Sequence, residues 1–198
     1  MGRISVLSVL ILLIFSLVGI YFLHAITLLN YQNSQLNNAW NNVIIQYDAR
    51  ATLLSNLINE LNSESAVESN VVQQIKNVQL SYSTIQWSDD LMNDQTSLLS
   101  FQVSEEQLQL SIENLITILN VKAEHISDKE LNLAQDLYLN QNKIDQASSE
   151  YSKLAVNYNE AIKIFPNNWI SYFMQYAPKA YFLPESTVLS NSNNFFDF

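Results

Sequence analysis

The sequence contains no cysteine, two glycines and three prolines among its 198 residues. Without cysteine there are no disulfides, thiol nucleophiles, thiolate metal sites or lipobox. Both glycines, Gly2 and Gly19, precede residue 27, and Pro166, Pro178 and Pro184 all lie in the last third. Between residues 27 and 165 neither type occurs. Tight hairpins lean on glycine, so a hairpin-rich β domain is excluded. Phosphate loops and dinucleotide fingerprints cannot be written without glycine either. Basic residues are scarce, nine against nineteen acidic ones, for a net charge of −10. That balance argues against nucleic acid and against adsorption to anionic lipid. Of the two histidines, His24 and His125, neither completes an H-E-x-x-H motif. Residues 121 and 122 are Val and Lys, so Glu124 and His125 form no Glu-x-x-His pair of the di-iron type. With so few bases, no Ser or Thr has an evident activator. Asp89 and Asp90 read as a solvated loop pair. No catalytic residue, cofactor or metal is expected, and the chain is read as not an enzyme.

What is present is one long apolar run. Ile4 to Leu23 reads ISVLSVLILLIFSLVGIYFL, twenty residues without a charge. About twenty such residues at roughly 1.5 Å each cross a hydrocarbon core of roughly 30 Å. A helix satisfies its own backbone groups there. Tyr21, Phe22 and His24 fall where an interfacial belt belongs. The run exceeds the usual signal-peptide core and no A-x-A-like site follows it, so an uncleaved anchor over residues 1–26 is expected. Arg3 precedes the run and the next positive charge is Arg50. The positive-inside bias then places the N-terminus in the cytoplasm and the rest of the chain outside.

Residues 27–185 carry helical periodicity. Leu36, Trp40, Val43, Tyr47, Arg50, Leu54, Leu57 and Leu61 step by four and three, as an a/d seam does. No helix stop separates this seam from the anchor, so one continuous rod is expected. Val71, Ile75, Val78, Tyr82 and Ile85 form a second run, and residues 86–103 lose clear period. Ser104 and Gln107 form a capping-box pattern that predicts a helix start, with Leu108, Ile112, Leu115 and Leu119 following. Ser127 and Glu130 form a second box. From there Leu133, Leu137, Asn140, Ile144, Ala147, Tyr151, Leu154, Tyr158, Ala161 and Phe165 step without a fault until Pro166. The architecture predicted is all-α: a transmembrane helix, then an antiparallel four-helix bundle with long first and last helices. Asn140 is placed to set register, and Asn56 and Asn159 to cap or bridge helices. The aromatic stretch from Trp169 to Phe182 reads as a short helix and an extended piece across the bundle. Its rival, a membrane-surface amphipath, has only Lys179 to attract anionic lipid. Residues 186–198 read as a flexible tail. The exposed faces are rich in Asn and Gln, which nucleotide bias explains more simply than prion-like behaviour.

Two stretches resemble the LemA family of bacterial membrane-anchored helical proteins. Ala39-Trp40 followed by Arg50-Ala51-Thr52-Leu53-Leu54-Ser55-Asn56-Leu57-Ile58 is similar to the family's AW…RRADLIPNLV run. Asn142-Lys143-Ile144, Tyr151, Tyr158-Asn159, Ala161-Ile162 and Phe165-Pro166 are similar to its ENKIxxAR…YN…I…FP run, and Lys179-Ala180-Tyr181-Phe182 to its closing aromatic pair. The resemblance covers roughly residues 1–62 and 130–185. Departures occur at Ala49 and Ser55, which replace an Arg and a Pro. Ser148 and Ser152 replace an Arg and an Asn, and the middle lacks the family's YPDLKAN-like segment. The resemblance implies a membrane protein with a helical bundle and no established activity. It also implies a link to envelope quality control, because some members are encoded near a membrane zinc protease.

The expected function is a non-enzymatic, single-pass scaffold or adaptor in the bacterial inner membrane. It would meet the bilayer through residues 4–23 and bind a protein partner, a membrane protease among the candidates, with self-association left open. Arg50 and Asn56 are the candidate partner contacts, against the plainer reading in which the Arg50 stem packs beside the seam and its head reaches water or a carboxylate. Trp40, Tyr47, Leu54, Leu57, Leu137, Ile144, Tyr151, Leu154, Tyr158 and Phe165 are the expected bundle core. The alternative is an extracytoplasmic ligand-binding or sensory four-helix bundle, which would need a second span and a signalling region.

Overall fold

The computed structural model describes residues 6–63, 69–83, 85, 90–121 and 127–184. Expectations for Trp87, Asp89, His125 and the 186–198 tail fall outside these residues. The described residues form five helices and no strand: α1 (Val6–Ser63), α2 (Ser69–Ser83), α3 (Gln95–Val121), α4 (Asp128–Ala161) and α5 (Asn167–Met174). With no glycine or proline after Gly19 to interrupt it, α1 runs unbroken for 58 residues, about 87 Å. The apolar run and the first bundle helix are therefore one rod.

α1 packs against α4, and α2 against α3. The α1–α4 register shows the antiparallel sense directly. The Trp40 and Tyr151 rings lie 4.8 Å apart, Asn140 Nδ2 donates to Gln46 C=O at 3.3 Å, and Lys129 pairs with Glu60 at 2.5 Å. Numbers rise on one helix as they fall on the other. At the far end Leu57 and Leu61 of α1, Ile75 of α2, Ile112 and Leu115 of α3, and Leu137 of α4 share one apolar cluster. All four helices thus meet in a common core. Nearer the apolar run Leu36, Trp40, Val43, Leu98, Phe101 and Tyr151 form a second.

Trp40, Leu54, Leu57, Leu137, Ile144, Tyr151 and Tyr158 are buried, and Tyr47 is half-buried. Leu133, Leu154, Ala161 and Phe165 depart from the expected seam. Leu154 is only half-buried because Ala155 takes the inner position. The same one-residue offset places Ala134 inward of Leu133 at the start of α4 and Ile162 inward of Ala161 just past its end. Phe165 is 59% exposed and is not a core residue. α4 ends at Ala161, and the turn before Pro166 carries Phe165 away from the seam.

Ser127 and Glu130 form the predicted capping box: Ser127 N–H donates to Glu130 Oε2 at 2.8 Å and Ser127 Oγ accepts from Glu130 N–H at 3.3 Å. The box expected at Ser104 is not a helix start. α3 begins nine residues earlier, capped by Asp94, whose carboxylate accepts from the Ser97 amide at 2.8 Å and from its hydroxyl. Those bonds hold the Asp94 carboxyl below its usual range. Ser104 instead back-bonds Ser100 C=O at 3.2 Å inside the helix.

Candidate functional site

After α5 the chain leaves helical geometry at Gln175, whose φ is +56°, and runs extended back along the bundle. An extended strand without a sheet must find partners for its backbone groups. Here side chains supply them. Asn159 Oδ1 accepts from Lys179 N–H at 2.7 Å while its Nδ2 donates to Lys179 C=O at 2.8 Å. Gln95 holds Tyr181 in the same two-bond way, at 3.0 and 2.9 Å. Gln102 holds Leu183, at 3.0 and 3.1 Å. The intervening amides are also satisfied: Ala180 N–H donates to Met92 C=O at 3.0 Å and Phe182 N–H to Ser152 Oγ at 3.0 Å. Tyr151 Oη donates to Ala180 C=O at 2.7 Å, and burial pushes its phenol pKa well up. Pro178 and Pro184, which have no N–H to offer, bracket this five-residue stretch.

A carboxamide presents a donor and an acceptor side by side, as a peptide unit does. The clasp therefore reads extended backbone and not side chains. Asn159→Leu should cost about 1–3 kcal/mol, because it leaves two part-buried backbone groups without their partner. Faster proteolytic trimming of the C-terminal segment, with the helical circular dichroism kept, is the expected result; unchanged trimming would refute it.

Among the described residues the channel continues past Phe182–Pro184 between α3 and α4 as a groove of about 650 Å³, with α1 as its floor. Gln109, one further heptad along from Gln95 and Gln102, lines it, as does Gln141 on the facing helix. Ile144 and Phe182 give it an apolar patch. Its charged lining is four carboxylates (Glu105, Glu106, Glu113 and Asp145) against the guanidinium of Arg50. Gln109 donates to Glu113 at 2.9 Å and Gln141 to Asp145 at 2.8 Å. These donors are neutral and cancel none of the negative charge.

Arg50 lies at the base of this groove, 4% exposed, ion-paired to Glu105, which is 8% exposed. It also donates to Gln141 Oε1 at 3.3 Å and sits 5.0 Å from the Tyr47 ring centre. Burial lowers the Arg50 pKa, with Tyr47 opposing. Burial likewise lifts the Tyr47 phenol to about 12, against the pull of Arg50. Of the two plain outcomes for the Arg50 head, water or a carboxylate, the structure shows the carboxylate. It is an interior strut, not an exposed contact.

Asn56 is exposed on α1 and does not line the groove. Six residues separate it from Arg50, about 240° around a helix, so the two point to different sides. Asn140 is buried and braces α1 as described; Asn159 serves the clasp. The residues that build the clasp and the groove, Gln95, Gln102, Gln109, Glu105, Gln141 and Asp145, are not singled out by the sequence. Their signal was a seven-residue spacing of glutamines, hidden among many other Asn and Gln. Among the described residues no group of three or more His, Asp or Glu could hold a metal ion.

One described helix, α1, is long and apolar enough to cross a membrane, and it lies near the N-terminus. Phe15, Leu17 and Leu23 on its first half are exposed. No curated protein and no solved structure matches the chain. The LemA family does match, over residues 39–193, which takes in most of the bundle and all of the clasp and the groove. The chain belongs to the LemA family.

Proposed function

We propose that the chain is a non-enzymatic, single-pass membrane adaptor whose groove takes an extended, basic segment of a protein partner. The clasp carries this reading. One end of the channel already holds a five-residue stretch of extended backbone, three of its residues through side-chain carboxamides. The same kind of lining, at the same heptad step, continues into open space. The excess of carboxylates there selects for Lys and Arg on the incoming segment. Such groups give binding and orientation; the guanidinium in reach is committed to a buried ion pair. The apolar half of α1 would sit in the inner membrane with the bundle on its outer side, as the charge ahead of the run favours. The envelope quality-control role and membrane-protease partner implied by the family resemblance belong to this proposal.

A labelled extended peptide rich in Lys and Arg, titrated onto the full chain in nanodiscs, tests it. The basic peptide should bind, should weaken as salt rises, and should be lost in Asp145→Lys, while a Glu-rich peptide of the same length should not bind. Equal binding of both peptides, or of neither, would overturn it. A second reading, the ligand-binding or sensory bundle, draws on the groove volume, which is within the range of small-molecule sites. It would gain if neither peptide bound while a small molecule stabilised the chain.

A further inference from the structure

The turn after α4 and helix α5 carry a row of large apolar side chains that remain mostly exposed. Trp169, Tyr172 and Phe173 are spaced i, i+3 and i+4 on one face of α5, and Phe165 stands in the turn just before them. Tyr172 is 80% exposed and Phe173 77%, with Met174 and Ile164 exposed beside them. On α5 itself only Ile170 turns inward. Four aromatic side chains within nine residues, three of them on α5, mark an interaction surface.

Its position identifies the partner. Phe165 packs edge-to-face on Phe22, at 6.4 Å between ring centres, and Trp169 packs edge-to-face on Phe165 at 5.9 Å. Phe22 is the penultimate residue of the apolar run. Tyr176, just past α5, hydrogen-bonds Asn30. The element therefore lies beside α1 between Phe22 and Asn30, a stretch of about 12 Å. That is where the hydrocarbon boundary gives way to headgroups, a layer of roughly 5–8 Å on each side of the core. Trp and Tyr favour that layer because each has an apolar ring and a polar tip.

We propose that α5 is an interfacial helix, seated in the bilayer surface beside the span, with the Phe165–Trp169–Tyr172–Phe173 row facing lipid. This rests on the anchor reading above and adds a second membrane contact to it. Scarcity of basic residues is no obstacle. A free amphipath needs anionic lipid to concentrate it, whereas this one is already held at the surface by the helix it packs against. Its consequence is orientation: two contacts with the bilayer fix the rotation of the bundle about α1, which a single span leaves open.

The test is tryptophan quenching of the full chain in vesicles made with acyl-brominated lipid. Trp40 lies seventeen residues past Leu23, about 25 Å along the helix and away from the acyl chains. In a Trp87→Phe background the chain should show quenching that Trp169→Phe removes, and the emission lost with Trp169 should resist iodide added to the water. Because Trp169 is exposed, the variant is expected to fold normally. Vesicle-bound chain with equal quenching in both forms, and Trp169 open to iodide, overturns the interfacial seating and leaves the anchor intact. A chain that does not float with vesicles overturns both.

Discussion

Arg50→Ala should lower the stability of the folded chain by about 3–5 kcal/mol, the cost of removing one member of a buried ion pair. The penalty is not the lost attraction alone. Glu105 stays buried on α3 with its charge and no cation beside it. Gln141 loses a donor, and the Tyr47 ring loses the guanidinium 5.0 Å from its centre. For a domain of this size that corresponds to a fall in melting temperature of roughly 10 °C, at about 2–4 °C per kcal/mol. Arg50→Lys should recover little, since an ammonium cannot meet Glu105 and Gln141 with a planar fork. Arg50→Met combined with Glu105→Leu should recover most of the loss, because an apolar pair carries no desolvation cost. Thermal unfolding of the four proteins in one detergent decides the matter. A single variant within about 1 kcal/mol of the parent would show that the pair is hydrated and that its geometry contributes little.

Trp40→Ala should be nearly as damaging, at about 3–5 kcal/mol for a large buried aromatic. Trp40 is 7% exposed, with Tyr151 on one side at 4.8 Å and Phe182 on another at 6.1 Å. Tyr151 and Phe182 meet edge-on at 6.1 Å. Three separate elements, α1, α4 and the extended segment, thus share one aromatic knot. Truncation opens a void at that junction. The effect should be local as well as global: with Phe182 unsupported, amide exchange at Tyr181 and Leu183 should accelerate more than exchange at Leu57 or Leu137. Uniform acceleration across all four would mean that the knot serves the whole core and not the clasp in particular.

These two residues show what could be read from the chain beforehand. Trp40 was legible because aromatic and aliphatic residues at four-three steps have one common explanation, a buried seam. The absence of Gly and Pro over residues 27–165 gave the helices and the single rod in the same way. The Ser127 box was legible since both halves of its signature are present; the Ser104 box matched equally well and failed, because a local motif does not know that a helix already began at Asp94. Phe165 was misplaced by continuing a period past the point where the backbone turns. Arg50 stands out as a charge in an apolar seam, yet its partner Glu105 is 55 positions away, inside a pattern that reads as a helix cap and not as an ion-pair partner. The clasp was illegible for a different reason. Gln95 and Gln102 act on backbone atoms, which leave no trace in side-chain patterning.

The five residues from Lys179 to Leu183 read KAYFL, an aromatic and aliphatic stretch in extended form at the margin of a helical protein. Such a strand ordinarily exposes a row of amides and carbonyls that a second chain can pair with, the usual seed of edge-to-edge aggregation. Here all five amides are already engaged, as are the carbonyls of Lys179, Ala180, Tyr181 and Leu183. The protein thus carries a β-competent sequence with no edge to offer, and the glutamines and asparagine that occupy it act as gatekeepers against self-templating.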